Sequence, residues 1–264
     1  MSRIPPQLFK YEPSSEHAIE NLQNHVLYFG SPSNFNDPFD CALWPQIKPP
    51  TDIEANAICA RSLELGRGPF QSEMQRQFLA VETSEWRAKL MNSAETIISE
   101  RRKEFCEKTG ISCFSELNDN ILMWSHYSSH HTGFCLEFHS GADLFTKAKR
   151  VIYSNEIPTI DLRELMLEDD FEKVLELFCT KSSDWQYERE WRVLRQEVGT
   201  YCYSQDLLKA IYFGAKATGS TVKKICDVVK RNQLKVDLHR GRLSKSRFRI
   251  EFEQVEPESM ELSE

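Results

Sequence analysis

The most informative part of this sequence is residues 181–194, which read KSSDWQYEREWRVL. Residues 187–194 are rich in aromatic side chains and end on two aliphatic ones, a pattern that predicts a β-strand. Because side chains alternate between the two faces of a strand, Glu188, Glu190 and Arg192 are expected to share one face. Buried charges are costly unless they are paired or used, so this face favours binding of a charged substrate or stabilisation of a cationic transition state. The alternative is an edge strand whose Glu/Arg ladder faces water.

Strands and helices are predicted on both sides of this stretch. The predicted strands are residues 8–11, 26–29, 110–114, 133–138, 151–153, 208–214 and 248–252. The predicted helices begin at Ser14 or Ser15, occupy residues 52–108 as two or three helices, follow a cap at residues 118–120, and cover residues 161–179 and 218–232. Apolar spacings of three and four residues predict the helices, and alternation predicts the strands.

This order of elements predicts the fold class. We expect an α+β fold with a split or bent mixed β-sheet that contains Phe9, Phe29, Phe114, Leu136, Trp191 and Phe213. A single domain is predicted over residues 1–254, with a helical insertion at about residues 52–108. Residues 255–264 are expected to form a flexible acidic tail.

Composition excludes several classes of protein. The formal charge of −7 and the pI near 5.6 argue against a protein that coats nucleic acid non-specifically, although residues 235–249 are strongly basic. No signal peptide and no apolar stretch of membrane-spanning length is recognised, so a cytoplasmic protein without membrane association is expected. The eight cysteines contain no Cys-x-x-Cys pair and are interpreted as small buried hydrophobic residues.

A polar loop at residues 33–40, SNFNDPFD, is a candidate binding element. Asn36 and Asp37 can bond their own backbone and Pro38 restricts one dihedral angle, which is strong turn chemistry. Such loops often place polar groups at a pocket, so Asn36 and Asp37 are predicted to contact a ligand. A bare structural turn is the alternative.

Residues 123–127, MWSHY, supply candidate aromatic walls. Trp124 and Tyr127 lie three residues apart and are suited to core packing or to stacking a base or a nicotinamide ring. His126 and His130 lie four apart, but neither a third ligand nor a neighbouring Glu completes a zinc motif, so no metal is predicted. Phosphate-binding loops, the Rossmann fingerprint and the serine hydrolase elbow are absent from the sequence.

Taken in order, these motifs resemble a bacterial family classed as a domain of unknown function. The segments that carry the likeness are FKY at residues 9–11, FNDP at 35–38, CF at 113–114, MWSHY at 123–127, GFCLEF at 133–138 and WQYEREWR at 185–192. They lie between residues 8 and 214 and so cover most of the chain.

The order of elements also resembles the ADP-ribosyltransferase superfold, in the style of its DNA-modifying toxins and RNA 2′-phosphotransferases. That resemblance implies NAD as a substrate, held near Lys10 and Tyr11 on the first strand and against Trp124 or Tyr127. It further implies that Glu190, or its neighbour Glu188, acts on the ribose, and that Arg192 holds the pyrophosphate. A carboxylate at that position would stabilise the positive charge that develops on the sugar.

The sequence therefore supports two hypotheses. The first is a bacterial effector, toxin-like or anti-phage enzyme that uses NAD to modify a macromolecule or hydrolyses NAD. The second is a non-catalytic or nucleolytic nucleic-acid-binding module. In it, aromatic residues would stack bases, and the phosphates would be held by Arg240, Arg242, Lys245, Arg247 and Arg249. The expected partner is nucleic acid, a protein target or a protein encoded in the same operon.

Overall fold

The computed structural model describes residues 3–41, 45–65, 83–141, 143–167 and 171–256. Its contacts divide the chain into two compact units. The sheet unit comprises the described residues up to Ser31, from Thr109 to Val151 and from Asp184 onward, and the second unit comprises those of 32–108 and 152–183. A single domain over residues 1–254 stays a prediction.

The described secondary structure alternates strands with helices along the chain. The strands are β1 (Gln7–Glu12), β2 (Val26–Phe29), β3 (Gln46–Lys48), β4 (Gly110–Ser115), β5 (Phe134–His139), β6 (Lys149–Arg150), β7 (Ile152–Ser154), β8 (Thr159–Asp161), β9 (Thr180–Ser182), β10 (Glu190–Arg195), β11 (Gly199–Cys202), β12 (Leu208–Phe213), β13 (Asp237–Leu243) and β14 (Ile250–Gln254). The α-helices are α1 (Glu16–Gln23), α2 (Asp52–Leu65), α3 (Thr83–Lys108), α4 (Ile121–Tyr127), α5 (Leu162–Leu167), α6 (Phe171–Phe178) and α7 (Gly219–Arg231). Short 3-10 helices cover Pro32–Asn34, Ser183–Glu188 and Gln205–Leu207.

An eight-stranded mixed sheet forms the centre of the sheet unit. Its strand order is β14-β13-β12-β5-β1-β4-β10-β6, with β12 and β13 parallel and every other pair antiparallel. The predicted α+β class with a mixed sheet is confirmed. The expectation for Phe29 is wrong, because β2 pairs with β11 in a separate two-stranded sheet and reaches β4 only through a bridge between Gly30 and Ile111. At this bridge Gly30 and Ile111 exchange two backbone hydrogen bonds, of 3.0 Å and 2.9 Å.

One face of this sheet carries the main hydrophobic core. Leu8, Phe114, Leu136, Trp191 and Phe213 from neighbouring strands pack together with apolar residues of α1 and α7. Helix α7 presents Val222, Ile225, Val228 and Val229 at helical spacing, and the side chain of Thr218 caps its first turn. The predicted helix over residues 218–232 is confirmed, as is the cap of α1 by Ser15.

The opposite face of the sheet carries an aromatic cluster. Its buried members are Phe9, Tyr11, Met123, Trp124, Cys135, Ala210, Tyr212 and Ile250, with Tyr127, Tyr187 and Phe252 packed against them. Trp124 and Tyr127 come from α4, whose N-terminus is capped by Asn120 as the sequence predicts. This cluster contains three of the residues predicted to form a site, namely Tyr11, Trp124 and Tyr127.

The second unit is mainly helical. Ala55, Ile58 and Cys59 of α2 pack against Leu90 and Ala94 of α3 and against Leu162 at the start of α5. Two pairs of short parallel strands, β3 with β8 and β7 with β9, complete this unit. Helices α2 and α3 lie where helices were predicted within residues 52–108, of which residues 66–82 are outside the described residues. That these helices are an insertion stays a prediction. The helix predicted over residues 161–179 is described as α5 and α6.

Candidate active site

The segment that leads into β10 differs from its prediction. Residues Ser183–Glu188 form a 3-10 helix, Arg189 has a φ of 44°, and the strand begins only at Glu190. The prediction that Glu188 lies on the same strand as Glu190 and shares its face is therefore wrong. Ser183 and Asp184 favour turn conformations, because short polar side chains offer the backbone local hydrogen bonds that compete with a strand ladder.

Glu190 and Arg192 form a buried ion pair on β10. The Nε and Nη2 atoms of Arg192 donate to Oε1 and Oε2 of Glu190 at 2.7 Å and 3.0 Å. Glu190 is 4% exposed and Arg192 is fully buried. Burial, and then the nearby Glu190 carboxylate, raise the pKa of the Cys113 thiol on β4 well above its ordinary value. The guanidinium predicted to hold a pyrophosphate is thus engaged by Glu190 inside the protein.

Glu188 is the second buried carboxylate, and a tyrosine from α4 holds it. The hydroxyl of Tyr127 donates to Oε1 of Glu188 at 2.5 Å, although the two residues stand 61 positions apart in the chain. The side chain of Glu188 is 3% exposed. Such a short hydrogen bond from a phenol to a carboxylate is of the strong, charge-assisted kind and fixes the orientation of both groups.

Backbone contacts hold the 3-10 helix against α4. Ser115 donates through its hydroxyl to the carbonyl of Glu188 at 2.7 Å. The amide of Asn120 donates to the carbonyl of Tyr187 at 3.2 Å, while its oxygen accepts from the backbone N–H groups that begin α4. One asparagine therefore caps the helix that carries Tyr127 and also anchors the segment that carries Glu188.

Three rings, His126, Trp185 and Tyr187, cluster next to Tyr127, whose ring centroid lies 6.2 Å from that of His126, and we call them the aromatic rim. The ring centroid of His126 lies 6.2 Å from that of Trp185 and 6.5 Å from that of Tyr187, and the last two are 6.0 Å apart. His126 is exposed, whereas Trp185 and Tyr187 are half-buried. Half-exposed rings next to a buried carboxylate suit a planar or cationic ligand group.

Tyr11 and Trp124, predicted to line the site, are buried beneath its surface. Their rings meet edge to face with centroids 5.2 Å apart. The hydroxyl of Tyr11 donates to the backbone carbonyl of Leu117 at 2.9 Å. The indole N–H of Trp124 donates to the backbone carbonyl of Asn118 at 2.6 Å. Burial raises the pKa of Tyr11 far above its ordinary value, so this phenol stays neutral. These two rings support the loop that joins β4 to α4.

Lys10 lies on the other face of the sheet from Tyr11, because neighbouring residues of a strand point in opposite directions. Its ammonium lies 3.7 Å from the carboxylate of Glu12 and 5.5 Å from the ring centre of Phe114, in the main core. Burial raises the pKa of Glu12, an effect that the neighbouring Lys10 opposes. The structure thus places the two adjacent residues predicted to bind NAD in different environments.

Asn36 and Asp37 belong to the second unit. Asn36 is exposed, whereas Asp37 is 7% exposed and its Oδ1 accepts from the backbone N–H of Phe39 at 2.9 Å. The turn chemistry predicted from the sequence is confirmed by this bond. Asp37 also lines a cavity of about 490 Å³ formed within the second unit by the polar loop and α3.

A second buried pair of a tyrosine and a glutamate was not predicted. The hydroxyl of Tyr212 on β12 donates to Oε2 of Glu137 on β5 at 2.6 Å. The ring of Tyr212 stacks on that of His239 with centroids 4.6 Å apart. The sequence signal for this pair is an acidic residue inside the otherwise apolar run GFCLEF, since a carboxylate buried in a central strand needs a partner.

Among the residues that the structure describes, no group of three or more His, Cys, Asp or Glu side chains is arranged to hold a metal ion. Of the helices that the structure describes, none is long and apolar enough to cross a membrane. All eight cysteines lie in described segments and are free thiols, five of them buried.

Comparison with known families gives one similarity. Residues 123–193 match a family described as a protein of unknown function, DUF2971. The match covers less than half of the chain, but it includes Tyr127, Glu188, Glu190 and Arg192 together with the aromatic rim. The predicted likeness to a family of unknown function is supported over this range, whereas the ADP-ribosyltransferase type stays a prediction. The sequence matches neither a curated protein nor a solved structure.

Proposed function

We propose that this chain is an ADP-ribosyltransferase-like enzyme that cleaves the nicotinamide–ribose bond of NAD, with Glu188 as the acting carboxylate. The observation that carries the proposal is the buried Tyr127–Glu188 pair beside the half-exposed aromatic rim. A bacterial effector, toxin-like or anti-phage role is proposed with it, by analogy with enzymes that use this chemistry.

The proposed reaction depends on stabilisation of positive charge more than on proton transfer. When the bond between the nicotinamide nitrogen and the ribose breaks, its electron pair stays on nicotinamide, which leaves as a neutral molecule. The ribose then carries the positive charge until a nucleophile, either water or a group on a macromolecule, forms the new bond and gives up its proton. A fixed carboxylate close to that sugar lowers the barrier, because its position does not have to change during the reaction.

Each residue of the site has a role in this proposal. The aromatic rim would stack the planar, cationic nicotinamide ring, since cations and flat rings both favour aromatic faces. Tyr127 would hold the carboxylate of Glu188 in one orientation. Glu190 is assigned a positioning role instead of the catalytic role that the sequence suggested, because Arg192 already binds both of its oxygens.

The experiment is a measurement of nicotinamide release from NAD by the purified full-length chain, alone and with nucleic acid or protein as acceptor. We expect release by the wild type and a loss of about 10²-fold in Glu188→Gln. The matched control is Glu137→Gln, which also changes a buried carboxylate held by a tyrosine and should keep activity within about threefold. No release under any condition, or full activity of a folded Glu188→Gln protein, overturns the proposal.

A further inference from the structure

The C-terminal hairpin exposes an aromatic residue at its tip. Strands β13 and β14 pair from His239 opposite Gln254 to Leu243 opposite Ile250, and residues 244–249 form the turn between them. Phe248 in this turn is 100% exposed, and Leu243 at its base is 61% exposed. The ring of Phe248 is therefore fully available to contact a ligand.

Two cations accompany this ring. Hydrogen bonds from the side chains of Arg249 and Ser244 lower the pKa of Glu251, and the charge of Arg247, one of the two cations, contributes to the same lowering. Along the hairpin strands, Arg242 pairs with Glu253 at 2.7 Å and Arg249 pairs with Glu251 at 2.8 Å. Lys245 and Arg247 in the turn are exposed, and neither forms an ion pair with any residue in the described part of the chain. The tip thus combines an open aromatic face with positive charge, in a protein whose formal charge is −7.

We propose that this hairpin tip binds single-stranded nucleic acid. An exposed aromatic ring stacks on an unpaired base, and neighbouring cations hold the phosphates on either side of that base. Because the bases of a duplex are already stacked on one another, the same tip should prefer a single strand. Because the whole chain carries a formal charge of −7, we expect binding at this basic patch and no general coating of nucleic acid.

The hairpin is also attached to the candidate active site through β14. Phe252 on β14 packs against Trp124, with ring centroids 6.0 Å apart, and against Tyr212 at 4.9 Å. Trp124 lies on α4, the helix that carries Tyr127. Phe248 stands four residues before Phe252, a distance of at most about 14 Å along the chain. In this further step, which rests on the proposed function, the bound strand is the acceptor of ADP-ribose.

The experiment measures binding of a dye-labelled single-stranded oligonucleotide by fluorescence anisotropy over a range of salt concentrations. DNA and RNA strands of the same sequence, and the corresponding duplex, form separate arms. We expect Phe248→Ala to weaken single-strand binding by about tenfold. The double variant Lys245→Ala/Arg247→Ala should also lower the magnitude of the slope of log K against log salt concentration by about 1.4, because each phosphate contact contributes about 0.7.

Matched controls change exposed residues outside the hairpin. Phe39→Ala removes a ring that is 64% exposed, and Lys209→Ala/Lys223→Ala removes two exposed cations. Both should bind like the wild type. The inference is overturned if the wild type does not bind, if the controls weaken binding as much as the hairpin variants do, or if the duplex binds as tightly as the single strand.

The failure of this inference can be told apart from failure of the proposed enzyme. Binding should persist in Glu188→Gln, whose hairpin is unchanged. If the wild type binds the strand but never releases nicotinamide, the enzymatic proposal fails and the hairpin site stands. If nicotinamide is released while the hairpin variants bind normally, only the hairpin site fails.

Discussion

Arg192 binds both carboxylate oxygens of Glu190 from two positions further along the same strand, and the pair is closed off from water. The two side chains point to one face of β10, so the alternation of the strand brings them together. An ion pair of this kind is costly to remove from water, and it is stable only while both partners remain. Replacing only one residue of the pair should therefore destabilise the fold more than replacing both.

For stability, we predict that Glu190→Gln lowers the free energy of unfolding by about 3–5 kcal/mol, because the buried guanidinium of Arg192 loses the carboxylate that binds its Nε and Nη2 atoms. Replacing both residues, in Glu190→Leu/Arg192→Met, should cost much less than the Glu190→Gln change alone. Urea unfolding measures both effects. The control is Glu64→Gln, which breaks the exposed ion pair of Arg61 and Glu64. It should lower the free energy of unfolding by less than about 1 kcal/mol. A cost of Glu190→Gln as small as that of Glu64→Gln would contradict this prediction.

For catalysis, we predict that Tyr127→Phe lowers the kcat of nicotinamide release by about tenfold, the equivalent of one hydrogen bond of about 1.5 kcal/mol to a charged group. The fold should remain, since only a hydroxyl is lost. Tyr212→Phe removes the corresponding hydroxyl from Glu137 and serves as the control, with kcat unchanged. Equal effects of the two variants on kcat would mean that Tyr127 acts through general packing.

For substrate binding, we predict that Trp185→Ala raises the KM for NAD about fivefold to tenfold while kcat changes little. Stacking on this ring contributes equally to the bound substrate and to the transition state, so its loss weakens binding only. Steady-state kinetics separate the two parameters. Tyr28→Ala removes an aromatic residue that is 49% exposed elsewhere in the sheet unit and should leave both unchanged. A selective fall in kcat would instead place Trp185 at the transition state.

The pH dependence of stability offers a further test. Burial, and then the charges of Lys216 and His130, lower the pKa of His131, whose Nε2 lies 3.0 Å from the hydroxyl of Ser125. The folded state thus binds this proton more weakly than the unfolded state, for which the pKa is about 6.5. The stabilisation of the folded state that comes from this lowered pKa is complete above about pH 6.5, and it is lost as the pH falls below that value.

We therefore predict that His131→Asn, which removes the titrating group, makes stability fall less between neutral pH and about pH 5.5. Asparagine also accepts the positive φ of 73° at this position better than most residues do. Urea unfolding of both proteins at each pH gives the comparison. Parallel pH profiles for the wild type and the variant would show that His131 does not titrate differently on folding.

The local elements of this protein are determined by its sequence alone. Ser15, Asn120 and Thr218 cap helices where short polar side chains precede apolar residues at helical spacing, and β1, β4, β5 and β12 form at the residues predicted to be strands. These features depend on interactions between near neighbours in the chain, so the pattern of residues is sufficient to predict them.

Tertiary structure alone decided how the candidate site is built. The hydrogen bonds of Ser115 and Asn120 to the backbone of residues 187–188 hold the 3-10 helix where alternation predicts a strand. The same long-range contacts bring Tyr127 to Glu188. The sheet places Lys10 and Tyr11 on opposite faces, and Asp37 belongs to the second unit. Such contacts join residues far apart in sequence, and no local preference encodes which distant partner satisfies a buried carboxylate.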